Sequence, residues 1–262
     1  NRTSFSEYFG DSYSAYDVSS DDAVNNLFLQ ENFDRNGEFY FNSAEYFATL
    51  ENDGDENFTV YNQLGTPSGE NAYFYQRGNF MPYNTLNPSD IRNHNLYDDT
   101  GERLDDSDPR YNEPIYGFNE TNNFYFGMYV WADFYQPKGG MVEDNDGSGS
   151  SPMVFEFTGD DDMWVYIDGV LVLDLGGIHD AQSGTIDFET GNVRWTVTET
   201  GDEPTWRSST LRDIFANAGE DTSTDWDGNT FADGSNHRIQ IFYMERGAGA
   251  SNLKMRFNLK TI

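Results

Sequence analysis

Three consecutive aspartates, Asp160, Asp161 and Asp162, interrupt two apolar, strand-like runs. Adjacent carboxylates repel one another and need a cation or bulk water to be tolerated. Calcium takes roughly six to eight oxygen ligands at about 2.3–2.6 Å, and clustered carboxylates suit it. A solvated acidic turn is the plain alternative, and charge alone leaves both open. Three further segments begin with calcium-loop spacing: Asp144 and Asp146 in DNDGS, Asp225 and Asp227 in DWDGN, and Asp34 in DRNGE. None carries the closing acidic residue of an EF-type loop in the expected context. Acidic turns are common in so acidic a chain.

The elements that must position these groups read as short strands. The longest run covers residues 123–134, where Phe124, Phe126, Met128, Val130, Ala132 and Phe134 fall on one side with a period of two. Others are expected at 38–42, 58–61, 72–75, 154–158, 163–167, 170–174, 186–188, 193–197, 237–244 and 253–259. Asp168-Gly169 joins two of them and favours a primed hairpin turn. Residues 245–252 are expected to close a second hairpin with a longer loop. Helix is scarce: residues 209–217 form one behind a Ser cap, and 21–29 suggest another. Residues 82–116 read as a long surface excursion. The fold class is all-β: an antiparallel β-sandwich with long surface loops and one or two short helices. No linker or repeat divides the chain. One domain is expected over 1–262, with core motifs in 123–262 and an N-terminal elaboration in 1–122.

Composition narrows the function. The 262 residues carry 46 acids against 15 Lys and Arg, a formal net charge of −31. Such a polyanion repels nucleic-acid phosphates and acidic membrane surfaces, so neither is expected as a partner. The absence of Cys excludes disulfides, thiolate metal sites and Cys nucleophiles. Aromatics at 16% argue against disorder. No apolar run is long enough to span a membrane, and no signal peptide opens the chain. A start at Asn1 reads as a mature or excised piece of something longer. No nucleophile elbow, phosphate-cradling loop or H-E-x-x-H is present, and carboxylate pairs are too abundant to signal a glycosidase. The expectation is therefore no enzyme. An intramolecular isopeptide bond would need Lys254 or Lys260 buried beside Asn and an acid.

The stretch GDDDMWVYIDGVLVLDLGGIHD, with FYMERGAGASNLKMRFNL near the C-terminus, resembles the fibro-slime domain. That domain is a branch of the protective-antigen-type β-sandwich superfamily, related to flocculin-type calcium-dependent adhesin lectins. Upstream, GEFYFNSAEYFATLEN and NFYFGMYVWADFYQPKGG follow the same pattern. In the lectin branch, two adjacent Asp joined by a cis peptide hold a calcium ion that in turn holds sugar hydroxyls. Counting back from Tyr166-Ile167-Asp168-Gly169 puts that pair on Asp160 and Asp161. Asp162 stands where many relatives have Gly. The resemblance further implies that residues 245–252 supply ligands: the side chain of Glu245, where the flocculins have Asn, and the carbonyls of Gly247 and Gly249. His179 and Asp180 belong to a fibro-slime addition to the motif. His179 either faces a ligand hydroxyl, oriented by Asp180, or is a turn residue bonding neighbouring backbone. Arg246 either binds ligand or neutralises the acids. Trp164 reads as core, and a sugar-stacking platform would come from Trp206, Trp226 or Tyr116.

These readings converge on a monomeric, calcium-dependent carbohydrate-binding module of an extracellular, cell-surface microbial adhesin. Its partners would be glycans on host or neighbouring cells, without membrane insertion. A protein-binding adhesin module and a calcium-rigidified spacer are the alternatives. On the lectin reading, Asp162→Gly is milder than Asp161→Asn. His179→Ala weakens sugar but not calcium, and Glu245→Ala weakens both.

Overall fold

A computed structural model describes residues 2–4, 27–28, 37–50, 58–62, 80, 82, 126–145, 147–177, 179–198, 203–245 and 251–262. In chain order the strands are β1 (Arg2–Ser4), β2 (Phe39–Asn42), β3 (Tyr46–Leu50), β4 (Phe58–Asn62), β5 (Phe126–Tyr135), β6 (Met141–Glu143), β7 (Ser150–Pro152) and β8 (Val154–Gly159). There follow β9 (Asp162–Ile167), β10 (Val170–Leu175), β11 (Gln182–Asp187), β12 (Asn192–Val197) and β13 (Thr205–Thr210). After helix α1 (Leu211–Ala218) come β14 (Trp226–Asp227), β15 (Thr230–Phe231), β16 (Asn236–Glu245) and β17 (Leu253–Phe257).

The strands build two large sheets. The first has the order β1-β5-β16-β9-β10 and the second β13-β12-β11-β8-β17-β2. Among the described strands every pairing is antiparallel except β1 with β5. Period-two alternation makes each sheet one-sided. Phe126, Met128, Val130, Ala132 and Phe134 of β5 are buried, as are Phe155 and Phe157 of β8. The inner faces meet as a β-sandwich. Phe134 on the first sheet packs edge-on against Phe188 at the end of β11, with ring centroids 5.3 Å apart. Phe80 touches Phe41 of the second sheet and both Phe126 and Tyr243 of the first. Full burial of one such aromatic contributes roughly 1.5–3 kcal/mol. The described residues contain no helix long and apolar enough to cross a membrane.

The Asp168-Gly169 turn has φ of 51° and 85° at its two positions, both positive, as a type I′ hairpin turn requires. The helix is present, but its cap is Thr210, whose side chain accepts from the Asp213 N–H, rather than Ser209. Only Leu27 and Phe28 of the 21–29 segment are described; they are buried and lie in a bend. The strand expected at 72–75, and the 82–116 excursion apart from Pro82, fall outside the described residues.

One expected pairing is replaced. β16 and β17 do not form a hairpin. β16 has β5 on one edge and β9 on the other, so it has no edge left for β17. β17 crosses to the second sheet and inserts between β8 and β2. The chain thus ends β16 in the first sheet and resumes at β17 in the second, and such sheets pack about 10 Å apart.

The same crossing happens twice more at that end. β8 lies in the second sheet and β9 in the first, so the chain changes sheets at Asp160-Asp161. β10 and β11 are likewise split by residues 176–181. The registers Asp162↔Met244, Leu175↔Met163, Gln182↔Gly159 and Leu253↔Gly159 place all three crossings at one end of the sandwich.

Candidate functional site: the crossing end

Gly159 lets the crossings approach each other. A Cβ there would stand 2.6 Å from the Asn252 carbonyl oxygen and against the Phe157 ring. Gly176 does the same for the second crossing, because any Cβ would collide with the indole of Trp164. Trp164 is thus half-buried under the 176–181 loop rather than in the core.

Of the aspartate run, Asp161 is the innermost on the site side, at 6% exposure. Its Oδ2 accepts from the Tyr243 hydroxyl and, at 3.3 Å, from Ser251 Oγ. Its carboxyl also hydrogen-bonds Glu245, itself 1% exposed at the end of β16. Burial first, then the bond to and charge of Glu245, hold the Asp161 carboxyl far above the usual carboxylate range, against the pull of Tyr243. Burial and the charge of Asp161 likewise push the Tyr243 hydroxyl up. Asp160 is half-exposed, and its Oδ1 accepts from the Asn252 N–H at 2.6 Å. Desolvation raises its carboxyl, while the Asn252 bond and the charge of His179 oppose that. The structure therefore brings Asp161 to Glu245, with Asp160 next to Asp161, although 84 positions separate Asp161 from Glu245 in the numbering.

Asp162 does a different job. It is 2% exposed on the first position of β9, and its Oδ1 accepts from the Gly177 N–H at 2.5 Å. It braces the second crossing. His179 is also tied into that loop: Nδ1 lies 2.9 Å from the Asp180 carbonyl oxygen and Nε2 lies 2.8 Å from that of Leu175. The capacity that a ligand-facing role would reserve for a sugar hydroxyl is taken by backbone, and Asp180 acts through its carbonyl rather than its carboxylate. Gly247, Gly249 and Arg246 lie outside the described residues.

The donor set fits a hard cation. Among the described residues, the side chains around Asp161 offer oxygen donors, which suits calcium rather than zinc. A buried acid that keeps its proton beside a second acid is also where a cation can replace that proton. Among the described residues, however, no three acidic or imidazole side chains are already gathered into a metal cage. Completing one needs further oxygens besides Asp160, Asp161 and Glu245. No described peptide bond is cis, so Asp160–Asp161 departs from the lectin pattern there.

The secondary candidates are scattered. Asp144 sits in the β6–β7 turn, where Ser148 Oγ donates to its Oδ2 at 3.3 Å, and Asp146 is outside the described residues. Asp225 and Asp227 are exposed beside the β14–β15 hairpin. The carbonyls of Thr222 and Gly228 there both accept from the Arg212 guanidinium at 2.9 Å, which supplies a cation from within the chain. Lys254 is exposed and Lys260 half-exposed.

The spacing arguments missed Tyr243 and Ser251. A signal for Tyr243 was present: Ile239, Ile241, Tyr243 and Glu245 share the inward phase of β16, so a hydroxyl and a carboxylate end an apolar stripe.

No family model matches the chain. Similarity is found to Dictyostelium discoideum proteins. Protein psiF is 32% identical over 162 residues, covering 59% of this chain and 19% of psiF. Protein psiD is 31% identical over 129 residues, 49% of this chain and 19% of psiD. Protein psiK is 65% identical over 34 residues, 13% of this chain and 5% of psiK. The chain thus resembles part of these proteins and spans less than a fifth of each one's length.

Proposed function

We propose that this chain is a calcium-dependent carbohydrate-binding module of a cell-surface adhesin, related to the fibro-slime and flocculin-type sandwiches. The observation that carries the reading is the meeting of Asp161 and Glu245, both buried, with Asp160 beside them at the triple crossing. Asp160, Asp161 and Glu245 would hold the ion, aided by backbone oxygens. Calcium supplies a hard Lewis acid to which vicinal sugar hydroxyls can bind. Tyr243 and Ser251 orient the Asp161 carboxyl, Asp162 and His179 fix the crossing that walls the site, and half-exposed Asp160 is the acid within reach of a ligand.

A second reading has support of its own. Asp161 and Glu245 are so deeply buried that an ion held mainly by them would rigidify the crossings without meeting a sugar. A glycan array in calcium, repeated with chelator, separates the two. Hits that vanish with chelator support the lectin. Clean arrays from protein that melts higher in calcium leave the structural ion.

A further inference from the structure

The outer face of the second sheet runs directly into the crossing end. On β8, β11, β12 and β13 the outward side chains in one row are Thr158, Ser183, Thr196 and Trp206. Thr158 pairs with Ser183 across the β8–β11 ladder, and Thr196 with Trp206 across β12–β13. Thr158 Oγ1 and Ser183 Oγ lie 2.9 Å apart. Thr196 is only 5% exposed, and its hydroxyl is taken by the Ser183 backbone, accepting from the N–H at 2.8 Å and donating to the carbonyl at 3.4 Å. The Thr158–Ser183 pair uses one hydroxyl hydrogen between them and leaves the other for a ligand. Thr158 is two residues from Asp160. Trp206 stands three strand spacings further on, roughly 14 Å at about 4.8 Å per step.

Trp206 is built as a platform. It is 52% exposed on β13, the edge strand of its sheet. The Arg194 guanidinium covers one ring face at 4.8 Å from the centroid. That contact fixes the indole and leaves a flat apolar surface beside a polar track. Trp226, by contrast, is packed among Phe215 and Phe231. Charge selects the ligand class. The chain's net charge of −31 repels acidic glycans, whereas the hydroxyl track and Trp206 are uncharged.

We infer that Trp206 is a remote stacking subsite, joined to the crossing-end site by the half-buried Thr158–Ser183 hydroxyl pair, and that the module takes an extended neutral oligosaccharide rather than one terminal sugar. The inference rests on the carbohydrate reading above. The aromatic face stacks on a pyranose ring while the Thr158–Ser183 hydroxyls meet the sugar chain between.

The test is a calcium-buffered titration with gluco- and manno-oligosaccharides of one, two, four and six residues. The hexamer of the preferred series is expected to bind about tenfold or more tightly than its monosaccharide. Trp206→Ala should erase that gain and leave monosaccharide binding unchanged, and Trp206→Phe should restore part of it. Since Trp206 is exposed on an edge, matching melting curves check that the variants fold. Equal affinity along the series, or a hexamer gain that survives Trp206→Ala, overturns the subsite while leaving the calcium-lectin reading standing. Failure of every oligomer to bind in calcium defeats both.

Discussion

The two ends of the sandwich treat acidic residues in opposite ways. At the end opposite the crossings, Asp133 and Asp168 each have a partner within the chain. Asp133 receives both arms of Arg238, at 2.7 and 2.8 Å, and Arg238 also lies over the Trp131 ring. Asp168 holds His237 Nδ1 at 2.7 Å and the Arg238 N–H at 2.8 Å. These residues line an open cleft of about 430 Å³ with Asn236 and Ile262. The Arg238 bond draws the Asp133 carboxyl below its ordinary value. At the crossing end acid faces acid, and burial drives Asp161 the other way. Asp133 and Asp168 are neutralised from within the chain, whereas on the proposed reading Asp161 and Glu245 are neutralised by a bound cation.

The largest expected effect tests that contrast. Calcium at about 100 times its Kd should stabilise the fold by about 2.7 kcal/mol, read as a melting temperature that rises and returns on chelation. Without metal, pH should act in the opposite sense to ordinary acid denaturation. Folded Asp161 keeps its proton to a higher pH than the unfolded chain does. Its contribution is therefore fully present below the unfolded carboxylate value and is lost as pH rises above it. Metal-free protein should melt lower as pH climbs from the carboxylate range toward neutrality, and calcium should flatten that slope.

Next come the braces. Asp162→Gly removes the acceptor of the Gly177 N–H and should cost about 1–3 kcal/mol in denaturant melts while leaving calcium affinity within about twofold. Its effect would thus fall on stability, with the mild effect on calcium that its place in the motif suggests. Asp168→Ala at the far end strips His237 and the Arg238 N–H of their acceptor. A similar loss of stability is expected, with no change in calcium affinity.

The smallest effect should come from the exposed pair. Arg238→Ala should shift stability only slightly, and the shift should shrink in high salt. The sign for Asp133 is the mirror of Asp161: its depressed carboxyl adds stability above the unfolded value and loses it as pH falls.

Much of this was legible in the chain. The stripe through Phe126, Met128, Val130, Ala132 and Phe134 gave β5 its inward face, and Asp168-Gly169 gave a primed turn, because period and turn chemistry are local. Gln182-Ser183-Gly184 hid the start of β11, since none of the three favours a strand; a Cβ at Gly184 would stand 3.0 Å from both the Leu173 and Leu175 side chains. Sheet membership was the deeper gap. Nothing local distinguishes residues that turn back within one sheet from residues that cross to the other, and the crossings bring Asp161 to Glu245. The aspartate run announced a site, but the division of labour within it depends on which side chain points inward, toward Tyr243 and Ser251.

The proposed function stands or falls on whether Asp161 and Glu245 bind a cation. Calorimetric titration of calcium into metal-free protein tests it most directly, comparing the native sequence with Asp161→Asn/Glu245→Gln and with Asp168→Asn. The account predicts a saturable event in the native protein, its loss in the double variant, and its retention in Asp168→Asn. An event that persists undiminished in the double variant, or none in any of the three, would contradict it.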